Sequence, residues 1–204
     1  MFGKVAADIF GLSDLGSVIK AEHYDKVDSD DYVLHEDGEK IFFLIKSKAD
    51  EYCFTNLALI HLDGTSAISK KRVLHRYSYS AHKLSDVYLE TAGTVDLDVE
   101  IKFTLGTISF SIDVHKKHIE ELKDLYKALM KISEITHEND VSLDYAKESL
   151  QLAFSALGSI HRHEGNLTEQ FVGLNQAAFS WLVDTRKQYK VKDFGAIFER
   201  YMNQ

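Results

Sequence analysis

Hydrophobic and polar residues follow two different periods along this chain, and the change falls near His115. Before it come short apolar runs separated by turn residues: EKIFFLIKSK, EYCFTNLALIHLDG, KKRVLHRYSYS, LSDVYLET, DLDVEIKFTLG and TISFSIDV. Runs of this length, rich in β-branched and aromatic residues, predict the strands of a sandwich or barrel. In the fifth run Val99, Ile101, Phe103 and Leu105 alternate with Glu100, Lys102 and Thr104. Ile108, Phe110, Ile112 and Val114 repeat the pattern after Gly106. Each set is a strand with one buried face, and the tight turn between them predicts a hairpin.

After His115 the period becomes helical. Ile119, Leu122, Leu125, Tyr126, Leu129 and Ile132 form one stripe with charged residues opposite, an amphipathic helix suited to covering an open end of the sheet structure. A new helix is predicted to start at Asn139 or Asp140, either of which is a good N-cap. From there Leu143, Ala146, Leu150, Ala153, Leu157 and Ile160 step by three and four, a heptad seam. After a polar break at 161–165, Asn166 and Glu169 make a capping-box-like start, and Leu167, Phe171, Leu174, Ala178 and Trp181 resume the alternation. The two seams predict an antiparallel αα-hairpin. Val172, Phe179 and Val183 add a second apolar stripe to its later helix, one more than a two-helix hairpin covers by itself. Phe171, Val172, Leu174, Phe179, Trp181 and Val183 are therefore the candidate oligomer interface, with the neighbouring subunit favoured over the chain's own sheets as their cover.

The 204 residues suffice for one domain with an appendage or for two small domains. Proline is absent, so turns rely on Gly, Asn, Asp and Ser. No apolar run is long enough to span a bilayer, and the first residues lack the pattern of a secretory signal. With the single cysteine, Cys53, these features point to the cytoplasm. The formal net charge of -8 argues against nucleic acid and against anionic lipid as partners of the whole molecule.

The string ETAGTVDLDVEIKF, with EYCFTNLALI and SKKRVLHRYSYS, resembles the bacterial pleckstrin-homology (PH) domain family, and the helices after Asn139 resemble the YvbH-like oligomerisation region that follows some of those domains. The residues carrying the resemblance are Phe54, Thr55 and Asn56, then Glu90, Thr91, Ala92, Gly93, Asp96 and Asp98. Leu57 and Ala58 stand where the broader family often has a basic pair. The resemblance implies an α+β fold: a partly open seven-stranded antiparallel β-barrel, PH-like, capped by a helix over residues 1–136, with the helical hairpin extension over 137–204. It implies cyclic homo-oligomers larger than a dimer and no catalytic residues.

Candidate chemistry is sparse. Between Thr65 and Lys83 lie Lys70, Lys71, Arg72, His75 and Arg76 with no acidic residue. These are the candidate anion- or ligand-binding residues, and the basis of an alternative reading as a peripheral binder of anionic lipid headgroups. The competing reading is a basic edge strand protected against strand addition. The pairs His161 with His163 and His115 with His118 offer too few converging ligands for zinc. No phosphate loop or nucleophile elbow occurs, Asp96 and Asp98 lack a paired base, and Cys53 between two aromatics reads as a packed residue. The sequence thus points to a non-enzymatic, homo-oligomeric binding and assembly module with no cofactor or metal. Its partners are further copies of itself and an unidentified protein or peptide.

Overall fold

The structure, a computed structural model, describes residues 13–64, 72–91, 93, 98–159 and 166–202. By contacts the chain divides into two units, one formed by Met1–Ser133 with Lys192–Gln204 and one by Glu134–Val191.

The first unit holds two antiparallel sheets. Strands β1 (Ser17–Val18), β2 (Ile41–Lys46), β3 (Glu51–Thr55), β4 (Ala58–Gly64) and β5 (Arg72–Ser78) form one sheet in that order. Strands β6 (Leu84–Glu90), β7 (Asp98–Leu105) and β8 (Ile108–His115) form the other. The six apolar runs become β2 to β8, the second of them turning at Asn56 to supply both β3 and β4. The additional β1 is too short to carry a period of its own. The sheets do not close into a barrel; a single parallel bridge between Gly16 and Val114 links the first strand's approach to β8.

Both faces of the larger sheet are covered, which explains its near-continuous apolar runs. On one face Leu44, Cys53 and Ile60 lie side by side across β2, β3 and β4. They pack with Ile19, Val27 and Val33 from a segment of short 3-10 turns at Ala21–Lys26 and Asp28–Tyr32. On the other face Phe54 meets Phe103 edge-on at 5.8 Å, and Phe103 stacks on Phe110 at 5.0 Å, joining the two sheets. The predicted hairpin has the register read from its period: Phe103 opposite Phe110, Ile101 opposite Ile112 and Val99 opposite Val114, with Gly106 at φ 65° in the turn.

Helix α1 (Ile119–Ser159) starts beside β8 and buries Leu122, Leu125, Ala128, Leu129 and Ile132 in the first unit. The break expected at Asn139 or Asp140 does not occur, because α1 runs through both positions. Good N-caps start a helix only where the preceding residues leave it, and neither Gly nor Pro lies between Ile119 and Leu157 to make them do so. Helix α2 (Leu167–Tyr189) starts as read, with the Asn166 side chain accepting the Thr168 N–H at 3.0 Å and donating to Glu169 at 3.1 Å. A further helix, α3 (Gly195–Met202), belongs to the first unit although the sequence reading placed 192–204 with the hairpin. Phe194 and Phe198, at a spacing of four, are what bring it there.

Candidate functional site

Arg72 and Arg76 lie on the same face of β5, and each is drawn toward a fully buried carboxylate. Glu39 accepts from Arg76 Nη2 at 2.9 Å, from the Thr55 hydroxyl at 2.5 Å and from the Leu34 N–H at 2.8 Å. Burial by itself would raise this carboxyl, but the hydrogen bonds from Arg76, Thr55 and Leu34 outweigh it and hold the pKa below its usual value. Glu51 accepts from Lys46 Nζ at 2.6 Å and from the Ser29 N–H at 2.9 Å, with Arg72 Nη1 at 3.8 Å. The two carboxylates thus tie the 3-10 segment to the sheet. These arginines already neutralise interior charge, which leaves little for an external anion. His75, on the opposite face of β5, stacks between His61 at 6.1 Å and Tyr77 at 6.0 Å. Lys70 and Lys71 lie outside the described residues.

A carboxylate whose folded pKa is depressed stabilises the fold fully above its unfolded value and loses that contribution as pH falls through the folded one. Thermal stability should therefore drop on acidification below about pH 4.3, the ordinary glutamate value. Glu39→Gln should flatten that part of the profile, and an unchanged acid limb in melting curves would contradict the assignment.

The Phe54, Thr55, Asn56 turn has a structural task for each residue. Phe54 is core, Thr55 holds Glu39, and Asn56 receives the C-terminal segment. The Asn56 side chain accepts the Lys40 N–H at 2.8 Å and donates to Asp193 Oδ2 at 2.8 Å, while its carbonyl accepts the Phe194 N–H at 2.9 Å. Asp193 Oδ1 in turn accepts the Gly195 N–H at 2.7 Å at the start of α3. Phe198 stacks on Phe42 at 5.3 Å, and Tyr79 meets Phe194 at 5.9 Å. Sequence reasoning missed this docking; the signal was the pair of phenylalanines beyond the last heptad.

Of the other motif residues, Glu90 lies across from Glu100, and Lys102 bridges the two at 3.0 and 2.8 Å. Asp98 pairs in register with His115. Thr91 and Gly93 are exposed, and Ala92 and Asp96 lie outside the described residues. Cys53 is fully buried, and burial pushes its thiol well up. Among the described residues no three metal-ligating side chains come together, and no helix is long and apolar enough to cross a membrane.

In the second unit many apolar side chains are exposed, while Leu143, Ala146, Leu150 and Ala178 are half-buried. Phe171, Val172, Leu174, Phe179 and Trp181 are exposed, Phe171 at 69% and Phe179 at 67%, and Val183 is half-buried. From Glu134 to Val191 no described apolar residue is buried. The seam containing Phe171, Leu174 and Trp181 is thus not packed away within one chain, against the simpler reading of Trp181 as hairpin core, because two helices offer too little surface to exclude water from it. Leu167, Thr168, Gln170, Phe171 and Leu174 line an open apolar depression of about 480 Å³ on α2.

Comparison with known proteins gives this arrangement a context. The family described as Bacterial PH domain matches residues 9–133, and the one described as YvbH-like oligomerisation region matches residues 144–204. The chain is 59% identical over 203 residues to the uncharacterized protein YvbH of Bacillus subtilis (strain 168), covering 100% of both. It is similar to the crystal structure of a PH domain containing bacterial protein from Exiguobacterium sibiricum, with 52% identity and a TM-score of 0.86 over 93% of this chain and 100% of that one.

Proposed function

Since the chain belongs to the bacterial PH domain family and carries a YvbH-like oligomerisation region, we propose that it is a non-enzymatic assembly module of the cytoplasm. In this reading the PH-like unit presents a recognition surface, and the helices of the second unit hold several copies together in a ring larger than a dimer. The observation that carries it is the uncovered apolar surface of the second unit, from Tyr145 and Leu152 on α1 to Phe171 and Phe179 on α2. Large exposed apolar side chains in this number mark an interaction site. It coincides with the matched oligomerisation region. Phe171, Val172, Leu174, Phe179, Trp181 and Val183 are the proposed contact residues. Repeated copies of a weak recognition site would then act with avidity.

The ion pairs of Arg72 and Arg76 favour this reading over anionic-lipid binding. Light scattering across a dilution series tests it. The unaltered chain should have a mass above that of a dimer, and Phe171→Glu with Leu174→Glu should reduce it while leaving the circular-dichroism signature of the sheets intact. A wild-type monomer at all concentrations, or a double variant of unchanged mass, would overturn the proposal.

A further inference from the structure

A cavity of about 490 Å³ opens on the first unit where the 3-10 segment, the start of β2, the start of α1 and helix α3 meet. That volume falls within the roughly 300 to 1,000 Å³ of small-molecule sites. Its buried and half-buried wall is apolar, made by Ile19, Ile41, Phe42 and Met202. Tyr24 backs that wall, with its hydroxyl donating to the Phe42 carbonyl at 3.3 Å. The exposed residues around it are charged, and they are sorted by element. Lys20 follows β1 and Lys40 precedes β2, whereas Glu121 lies in the first turn of α1 and Glu199 in α3. Among the described residues Lys20, Lys40 and Glu199 form no ion pair, although Lys46, Lys102, Lys123 and Lys127 of the same unit each do. Glu121 is positioned by His118, whose Nδ1 is 3.2 Å from Glu121 Oε1.

We propose that this cavity binds a free dipeptide with apolar side chains, its carboxylate at Lys20 and Lys40, its ammonium at Glu121 and Glu199, and its side chains on Ile41, Phe42 and Met202. The sorting of charge selects the class. A simple anion leaves two carboxylates facing it, and a simple cation leaves two lysines. A wholly apolar molecule strips water from all four charges and returns no partner to any of them. A zwitterionic lipid headgroup would enter charges first, and here the charges stand outside the apolar wall. The site needs α3, which supplies Glu199 and Met202 and whose Phe198 is stacked on Phe42. A bound dipeptide therefore holds α3 against the sheet unit and by linkage stabilises that unit. Every lining residue lies in the first unit, so binding requires no second copy.

Calorimetric titration of the full-length chain with leucyl-leucine tests the site. A dissociation constant below about 1 mM is expected. N-acetyl-leucyl-leucine lacks the ammonium and leucyl-leucine amide lacks the carboxylate, and each should bind about tenfold more weakly. Lys40→Gln and Glu199→Gln change exposed side chains and should leave the melting temperature of the ligand-free chain nearly unaltered. Lys40→Gln should weaken leucyl-leucine by roughly fivefold and leave the amide unaffected, and Glu199→Gln should do the same with the acetylated form spared. Saturating leucyl-leucine should also slow hydrogen exchange along Gly195–Met202. The proposal is overturned by the absence of binding at about 10 mM leucyl-leucine. It is equally overturned if the blocked forms bind as tightly as the free dipeptide, if neither rim variant alters its affinity, or if exchange along α3 is unchanged at saturation.

Discussion

Phe198→Ala should destabilise the first unit by roughly 3 to 5 kcal/mol, the usual cost of emptying a packed phenylalanine site. Phe198 is fully buried and Phe194 nearly so, and both pack against rings of the sheet region, Phe42 and Tyr79. Losses at neighbouring sites are not additive, so Phe194→Ala combined with Phe198→Ala should cost less than the sum of the two. A chain ending at residue 136, the boundary suggested by the sequence period, loses both rings together with the Asp193 contact to Asn56. It should bind ANS and melt broadly, as a unit with uncovered core does. Urea unfolding followed by tyrosine near-UV circular dichroism is the suitable measurement, since Trp181 lies in the other unit. A loss below about 1 kcal/mol for Phe198→Ala would mean that α3 contributes little to this core.

Arg76→Ala should cost about 3 kcal/mol, the lower end of what breaking a buried ion pair costs. The variant leaves Glu39 fully buried with its charge, and only the Thr55 hydroxyl and the Leu34 N–H still bonded to it. Protonation of that carboxyl would then relieve part of the loss, so the variant should recover relative stability as pH is lowered toward 5, a range in which Glu39 of the unaltered chain contributes constantly. Pairing Arg76→Ala with Glu39→Gln should restore much of the difference at neutral pH. If Arg76→Ala proves as harmless as an ordinary surface change, within about 0.5 kcal/mol, the guanidinium is not what holds Glu39 in place.

The sheets were legible because their chemistry is local. Val99 to Leu105 and Ile108 to Val114 each carry a strict two-residue alternation, and a turn at Gly106 leaves only one register that keeps both apolar sets on one face. The PH-like resemblance rested on the same segments and on the Phe54, Thr55, Asn56 turn. What the residues of that turn touch was hidden, because Glu39 and Asp193 are distant in sequence and nothing in a single chain marks them as partners. The arginines of β5 illustrate the same limit. A basic stretch with no acids looks like a free charged surface until Glu39 and Glu51 are found behind it. The unbroken α1 was misread for a different reason: Asn139 and Asp140 suit a cap, but a residue's aptitude for a cap does not make one when the helix continues on both sides. In the second unit Phe171, Leu174 and Trp181 of the heptad set are exposed while Leu143, Ala146 and Leu150 are half-buried, and the pattern alone could not say what covers the exposed ones.

The return of the C-terminal segment to the first unit bears on how the protein is made. Chains emerge from the ribosome N-terminus first, and domains ordinarily fold in that order. Here Phe194 and Phe198 are translated after α1 and α2, so a nascent chain can hold both helices while the sheet unit still lacks part of its interior. The helices that present the apolar contact surface are therefore finished before the unit that precedes them. Neighbouring nascent chains on one message could meet through those helices early, and each PH-like unit would be completed only once its own Phe194 and Phe198 had emerged.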